Sequence, residues 1–297
     1  MKILNFGSIN IDKVFTLEHI VRPGETIDSN SYQEKIGGKG LNQSVALAKV
    51  SDKIYHAGKL NYKDSFIVEY LKINEIKTDF IKTSDKLTGS AFIQVDKNGE
   101  NSIVLDHGAN FSIDKEEVDY VLGYFDQGDI LILQNEINNL SYIIEEARKK
   151  NIFIVLNPSP INRDLLEIDL SLIDLIIMNE YEAREITNKD KENDIITTLK
   201  ETYPNTKFVI TRGRQGSVYF DKDLSLSQEI YEVDTIDTTG AGDTFTGYFV
   251  GLMSKGYGIK ECLKYASAAS ALAVTQKGAS NSIPDFKRVE QFLEESL

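Results

Sequence analysis

Short apolar runs that end in polar residues recur along the chain: 130–133 before Gln134-Asn135-Glu136, 152–156 before Asn157-Pro158, 175–178 before Asn179-Glu180, and 208–210 before Thr211. Unbroken rather than alternating apolarity marks strands covered on both faces. Between two of them, residues 140–151 place Ile143, Ile144 and Ala147 on one helical face, with Lys149-Lys150 in the last turn. The opening Met1-Lys2-Ile3-Leu4-Asn5-Phe6-Gly7 reads as another strand. Alternation of strand and helix predicts an α/β fold, a doubly wound, mostly parallel sheet flanked by helices. Ligands of such sheets sit beyond the carboxyl ends of the strands, where the polar residues fall. Taken singly, each of these residues is also compatible with a plain turn.

Two segments break the rhythm. Ala91, Ile93 and Val95 recur at every second position, as do Ile103 and Leu105, and Asn98-Gly99 lies between them. Asn-Gly is the favoured two-residue hairpin turn, because both residues tolerate positive φ. Residues 12–36 spread Val14, Phe15, Ile20, Val21, Ile27 and Tyr32 among polar positions and also look extended. Together, about 12–36 and 88–107 predict a small antiparallel β lid outside the main layer. Repeats, low-complexity tracts and long linkers are absent from the sequence, so residues 1–297 are expected to form a single domain that includes the lid.

Composition narrows the function. Lys+Arg 33 against Asp+Glu 46 gives a formal charge of −13, which repels phosphate backbones and argues against nucleic acid as a partner. A chain with 41% hydrophobic and 27% charged residues can bury a sizeable core. The lone Cys262 cannot form an internal disulfide, and no apolar run approaches the ~18 residues of a membrane span, so a cytoplasmic location is expected. His19, His56 and His107 are scattered without a cysteine cluster, which disfavours structural zinc.

The most informative stretch is Asp237-Thr238-Thr239-Gly240-Ala241-Gly242-Asp243-Thr244-Phe245. Phe245, Phe249 and Leu252 follow at helical spacing, so the Gly-Ala-Gly turn opens a helix, and its bare amides and dipole favour an anion. A first-turn carboxylate beside an anion site, Asp243, can accept the proton of a hydroxyl undergoing phosphorylation; the plainer reading is an ordinary capped helix. In Gly37-Gly38-Lys39-Gly40-Leu41-Asn42-Gln43 the glycines admit a ligand close to the backbone, and Lys39 and Asn42 offer directional hydrogen bonds. The spacing is not that of a Walker A loop, and no Gly-x-Gly-x-x-Gly follows any strand, which removes the main support for a dinucleotide-dependent dehydrogenase. Asn10 and Asp12 follow the first strand, an amide and a carboxylate suited to a polyol. Asn179 and Glu182, three apart, are able to hold the water shell of Mg²⁺, although Glu182 also reads as a solvated helix carboxylate. Arg212 and Arg214 suit either a phosphate or a turn.

Together these stretches resemble the ribokinase family of carbohydrate kinases along nearly the whole chain, with Leu156-Asn157-Pro158-Ser159-Pro160 and Val274-Thr275-Gln276-Lys277-Gly278-Ala279 adding to the likeness. The resemblance implies ATP-dependent phosphorylation of the ribose 5-hydroxyl. By it, Asn10, Asp12, Gly38, Lys39, Asn42 and Glu136 hold the sugar, Asp243 is the base, and the amides of Gly240, Ala241 and Gly242 form an anion hole. It further implies that Asn179 and Glu182 organise Mg²⁺ through water, that Asn179, Thr211, Gly213, Gly216 and Gly242 contact ATP, and that K⁺ is held by Asp237, Thr239, Ala273, Gly278 and Ser282. A homodimer through the lid is implied as well. The chain departs from the pattern at 58–66, where a glycine-bearing turn is missing, and at Ser267, which stands where relatives carry histidine near the adenine. Kinases for deoxyribose, fructose, sugar acids or nucleosides, and a catalytically silent sugar-binding regulator, are the competing readings.

Overall fold

The computed structural model describes residues 1–296. Its strands are β1 (Ile3–Phe6), β2 (Asn10–Thr16), β3 (Ser31–Gly37), β4 (Ile54–Asn61), β5 (Lys77–Ser84), β6 (Gly89–Val95), β7 (Asn101–Asp106), β8 (Ile130–Gln134), β9 (Phe153–Asn157), β10 (Leu175–Asn179), β11 (Lys207–Thr211), β12 (Ser217–Phe220) and β13 (Ser225–Gln228). The helices are α1 (Lys39–Ala48), α2 (Phe66–Ile73), α3 (Lys115–Leu122), α4 (Leu140–Lys149), α5 (Arg163–Leu166), α6 (Glu180–Thr187), α7 (Glu192–Thr202), α8 (Ala241–Ser254), α9 (Ile259–Ala273) and α10 (Phe286–Glu295).

Nine strands form the main sheet in the order β13-β12-β11-β10-β9-β8-β1-β4-β5. From β11 to β5 every pair is parallel, and β12 and β13 join antiparallel at one edge. Period-two alternation sends Ile3, Ile130 and Ile132 into a core shared with α1, α8, α9 and α10, and Leu4, Leu131 and Leu133 into a second core under α3, α4, α6 and α7. Two covered faces explain the unbroken apolar runs.

The lid is a separate sheet in the order β3-β2-β6-β7. Its outer pairs are antiparallel, as expected, while the central β2–β6 pair runs parallel, because β2 and β6 both leave the main sheet in the same direction. Residues 17–30 carry no strand. The two-residue Asn98-Gly99 turn is corrected: Asp96 and Glu100 still pair, leaving three residues in the loop, and Gly99 is at φ 84° while Asn98 is not left-handed. The Asp96 carboxylate accepts from the amides of Asn98 and Glu100 and pulls the turn into this form. In the glycine-poor 58–66 stretch, β4 runs on to Asn61, whose side chain accepts from the Lys63 amide and caps a short 3₁₀ turn. Among the described residues no helix is long and apolar enough to cross a membrane.

Candidate active site

The loops after β1, β8, β10 and β11 and the first turns of α1 and α8 converge at the carboxyl ends of the parallel strands. The first contributor is the β1–β2 connection. Asn110 clamps it, accepting from the Ile9 amide at 3.0 Å and donating to Asn10 Oδ1 at 2.8 Å. Gly38, at φ 96°, lies so close that a Cβ there would sit 3.0 Å from both the Asn10 amide nitrogen and the Ser8 carbonyl oxygen. That contact seats the start of α1 on the β1–β2 turn.

Glu136 is 3% exposed and anchors this seat. Its carboxylate accepts from Lys39 Nζ at 2.9 Å, from the Lys39 amide at 3.2 Å and from Ser8 Oγ at 2.5 Å. Burial works against the Lys39 charge, but Glu136 and Asp243 outweigh it and hold the ammonium above its ordinary range. Asp12, in β2, is pushed up to about 6 by burial and by the negative charges of Glu136 and Asp243. Asn10, Asp12, Lys39, Asn42 and Glu136 are thus brought together with Asp243.

Asp243 is the third residue of α8. Asn42 Nδ2 and Gln43 Nε2 each donate to one of its carboxylate oxygens at 3.0 Å. Burial pushes the carboxyl up to about 6, against the pull of Lys39 and the two amides. Ahead of it Gly240 caps the helix at φ 75°, packed against Ala279. The Ala241 amide donates to the Thr238 carbonyl at 3.3 Å, whereas the Gly240 and Gly242 amides take no partner among the described residues. The expected trio of free amides is therefore narrowed by the capping turn.

Two clefts meet here. The larger, about 1020 Å³, is lined by Thr211, Gly213, Gly216, Ala241, Gly242 and Ser267 among others; the smaller, about 200 Å³, by Lys39, Asn179, Glu182, Gly240, Gly242 and Asp243 among others. Thr211 and Gly242 border both. Asn179 and Glu182 form a reciprocal cap on α6: Asn179 Oδ1 accepts from the amides of Tyr181 and Glu182, and Glu182 accepts from the Asn179 amide and side chain. A carboxylate so engaged, on the wall of an oxygen-lined cleft, fits Mg²⁺ held through its water shell better than direct ligation.

Of the cation set, Asp237 Oδ1 accepts from the Thr239 amide and hydroxyl at 3.0 and 2.6 Å, and Oδ2 from the Gly278 amide at 2.9 Å. Burial alone would raise the Asp237 carboxyl, but these bonds win and lower it. Ser282 Oγ lies on the Gly278 carbonyl at 2.8 Å. Ala273 stands one residue before Val274, whose carbonyl accepts from the Asp237 amide at 3.2 Å. An ionised carboxylate among carbonyl oxygens, with no sulfur or imidazole, fits a hard monovalent cation.

Asn5, Gln134, Gln43 and Asn110 are structural members of the site to which the sequence motifs assign no role. Gln43 lies inside the glycine-rich motif and Gln134 at a strand end, which are usable signals; nothing near Asn110 marks it.

Similarity to known proteins runs along nearly the whole chain. Residues 1–285 match the pfkB family carbohydrate kinase description. The chain is 35% identical over 301 residues to the ribokinase of Haemophilus influenzae, covering 97% of each. It superposes with TM-score 0.86 on the ribokinase of Cryptococcus neoformans in complex with ADP, at 31% identity, covering 98% of this chain and 99% of that one. The ribokinase of Arabidopsis thaliana complexed with ribose and ATP gives TM-score 0.85 at 28% identity, covering 99% and 98%. With a family match over residues 1–285 and ribokinase relatives 35% and 31% identical along nearly the whole chain, the chain belongs to the pfkB family of carbohydrate kinases, phosphotransferases that act on an alcohol group.

Proposed function

We propose that this protein is an ATP-dependent ribose kinase that transfers the γ-phosphoryl group to O5 of ribose. The observation that carries the reading is the position of Asp243, on the wall of the smaller cleft where it meets the larger one, with Asp12, Lys39 and Asn42 grouped around it. Asn10, Asp12, Gly38, Lys39, Asn42 and Glu136 form the sugar pocket, Glu136 chiefly by holding Lys39 in place. Thr211, Gly213, Gly216, Gly242 and Ser267 line the nucleotide side.

Asp243 accepts the proton of the attacking hydroxyl, and the free amides at the α8 start, with Lys39, face the charge that develops on the transferred group. Mg²⁺, organised through water by Asn179 and Glu182, supplies charge neutralisation at the phosphates when bound. K⁺ at Asp237, Thr239, Ala273, Gly278 and Ser282 would stiffen the loop packed against Gly240. The lid, in one folding unit with the main sheet, closes over the sugar and excludes water, and two copies pair through it. A cytoplasmic location suits a substrate pair of sugar and ATP.

The sugar is tested by coupled ADP release across ribose, 2-deoxyribose, fructose and ribonucleosides, with and without K⁺. Ribose is expected to give the highest kcat/KM and K⁺ to raise it; a ribonucleoside as best substrate, or indifference to K⁺, contradicts the reading. Since Asp12 and Asp243 both titrate near 6, kcat/KM is expected to fall as pH drops through that value. A profile flat down to about pH 5, well below such pKa values, contradicts the assignment of the base.

A further inference from the structure

We propose that Gln43, Gln134 and Asn5 form a buried amide relay that fixes which end of the Gln43 side chain faces Asp243, making Gln134 and Asn5 positioning residues for phosphoryl transfer; this rests on Asp243 being the base.

A side-chain amide is polar-directed: its NH₂ end donates and its oxygen only accepts. Gln43 supports an ionised Asp243 only with the NH₂ end forward, as observed at 3.0 Å. The direction is set from behind. Gln134 Nε2 donates to Gln43 Oε1 at 2.7 Å and to Asn5 Oδ1 at 3.0 Å. Asn5 in turn donates through Nδ2 to the Gly40 carbonyl at 2.8 Å, a backbone acceptor that cannot exchange roles. All three residues are 0% exposed, so water cannot substitute for a lost member.

The fold makes room for this arrangement at a cost. Gln134 Oε1 is buried without a hydrogen-bond partner, which the reversed orientation would not cure, since it would set oxygen against the oxygens of Asn5 and Gln43. A Cβ on Gly7 would lie 2.2 Å from that same oxygen and 3.0 Å from Asn5 Oδ1, so a glycine is required where the relay passes.

The charged groups around Asp243 are Lys39 from α1, Asp12 from β2, Glu136 after β8 and Glu182 from α6. None hydrogen-bonds to Gln134, whose bonds go to Gln43 and Asn5. Removing its donor therefore alters Asp243 through the orientation of Gln43 and leaves Asn5 Oδ1 without that partner, while no charged group around Asp243 loses a bond.

The test compares Gln134→Met, similar in length but without a donor, with the wild type and with Asp243→Asn. With Gln43 free to turn its oxygen forward, kcat is expected to fall roughly ten- to hundred-fold, the value of a hydrogen bond to a charged group. The ribose KM should stay within about twofold, and the acid limb of the kcat profile should rise by about one pH unit. A purely structural role would lower the melting temperature without moving that limb. An unchanged limb and kcat in Gln134→Met, beside an inactive Asp243→Asn, overturns the relay and leaves the base assignment standing; near wild-type turnover of Asp243→Asn overturns the base assignment itself. If Gln134→Met does not fold, Gln134→Leu, which also lacks the donor, takes its place with the same readouts: a raised acid limb supports the relay and an unmoved one overturns it.

Discussion

Asp12 sets binding against stability at a single side chain. It makes no hydrogen bond among the described residues, and burial with Glu136 and Asp243 nearby pushes it up to about 6. A carboxyl raised in the folded state binds more protons there than when unfolded between its ordinary value and 6. Stability therefore rises as pH falls through that window and is lowest above it. Asp12→Asn is expected to stabilise the protein at pH 7.5 by roughly 1–2 kcal/mol, screened by partial exposure, with the gain vanishing below about pH 4, as measured by urea denaturation at both pH values. The same variant should raise the ribose KM. Loss of stability at pH 7.5 would contradict the placement of Asp12. Residues of this kind are legible in the sequence because they cluster in short motifs: Asn10 and Asp12 in one, Lys39 and Asn42 in another. Gln134 is legible only as a polar residue at a strand end; its use depends on β1 and β8 being neighbours across 129 residues of sequence.

At the scale of elements, the approach of α8 to α1 places the site. A Cβ on Gly247 would lie 2.4 Å from the Ala46 Cβ and 2.9 Å from the Gln43 carbonyl oxygen, and one on Gly251 would lie 2.4 Å from Val50 Cγ2. These glycines, four apart on one helical face, let the helices touch, and one turn earlier Asp243 meets Asn42 and Gln43. Gly247→Ala gains up to ~1 kcal/mol in helix propensity but overpacks the contact. Its expected net effect is a loss of about 1–3 kcal/mol by chemical denaturation, with turnover reduced. Gly242→Ala is the contrast: nothing lies within 4 Å of its Cβ position, so stability should hold while the KM for ATP rises. Equal destabilisation by both would contradict this packing. The Gly-Ala-Gly turn is readable from residue type alone, whereas the role of Gly247 is not, since only the packed pair reveals it. The lid hairpin shows the same limit: Asn98-Gly99 announces a turn, but Asp96, through its two amide contacts, decides which one forms.

For the whole molecule, charge and exposed apolar area bear on the proposed pairing of two copies through the lid. A chain carrying −13 repels its own copy over most of its surface, and the lid offers an apolar exception. Tyr32, Phe92 and Val104 share one lid face by register and are 48%, 37% and 62% exposed. Light scattering is expected to give twice 33.4 kDa for the wild type and 33.4 kDa for Phe92→Glu/Val104→Glu. A monomeric wild type would contradict lid pairing. The main sheet is legible from its unbroken apolar runs because burial on both faces leaves that trace in β8, β9, β10 and β11. The lid is only partly so, because the parallel β2–β6 pair joins segments far apart in sequence and leaves no local signature.

The most direct measurement of the role of Asp243 is ribose-dependent ADP release by Asp243→Asn, taken together with ribose affinity by calorimetry. Turnover is expected to fall by about 10²–10⁴, the range for a general base, with ribose binding kept within a few-fold. Turnover near that of the wild type would contradict the assignment of this carboxylate as the group that takes the proton.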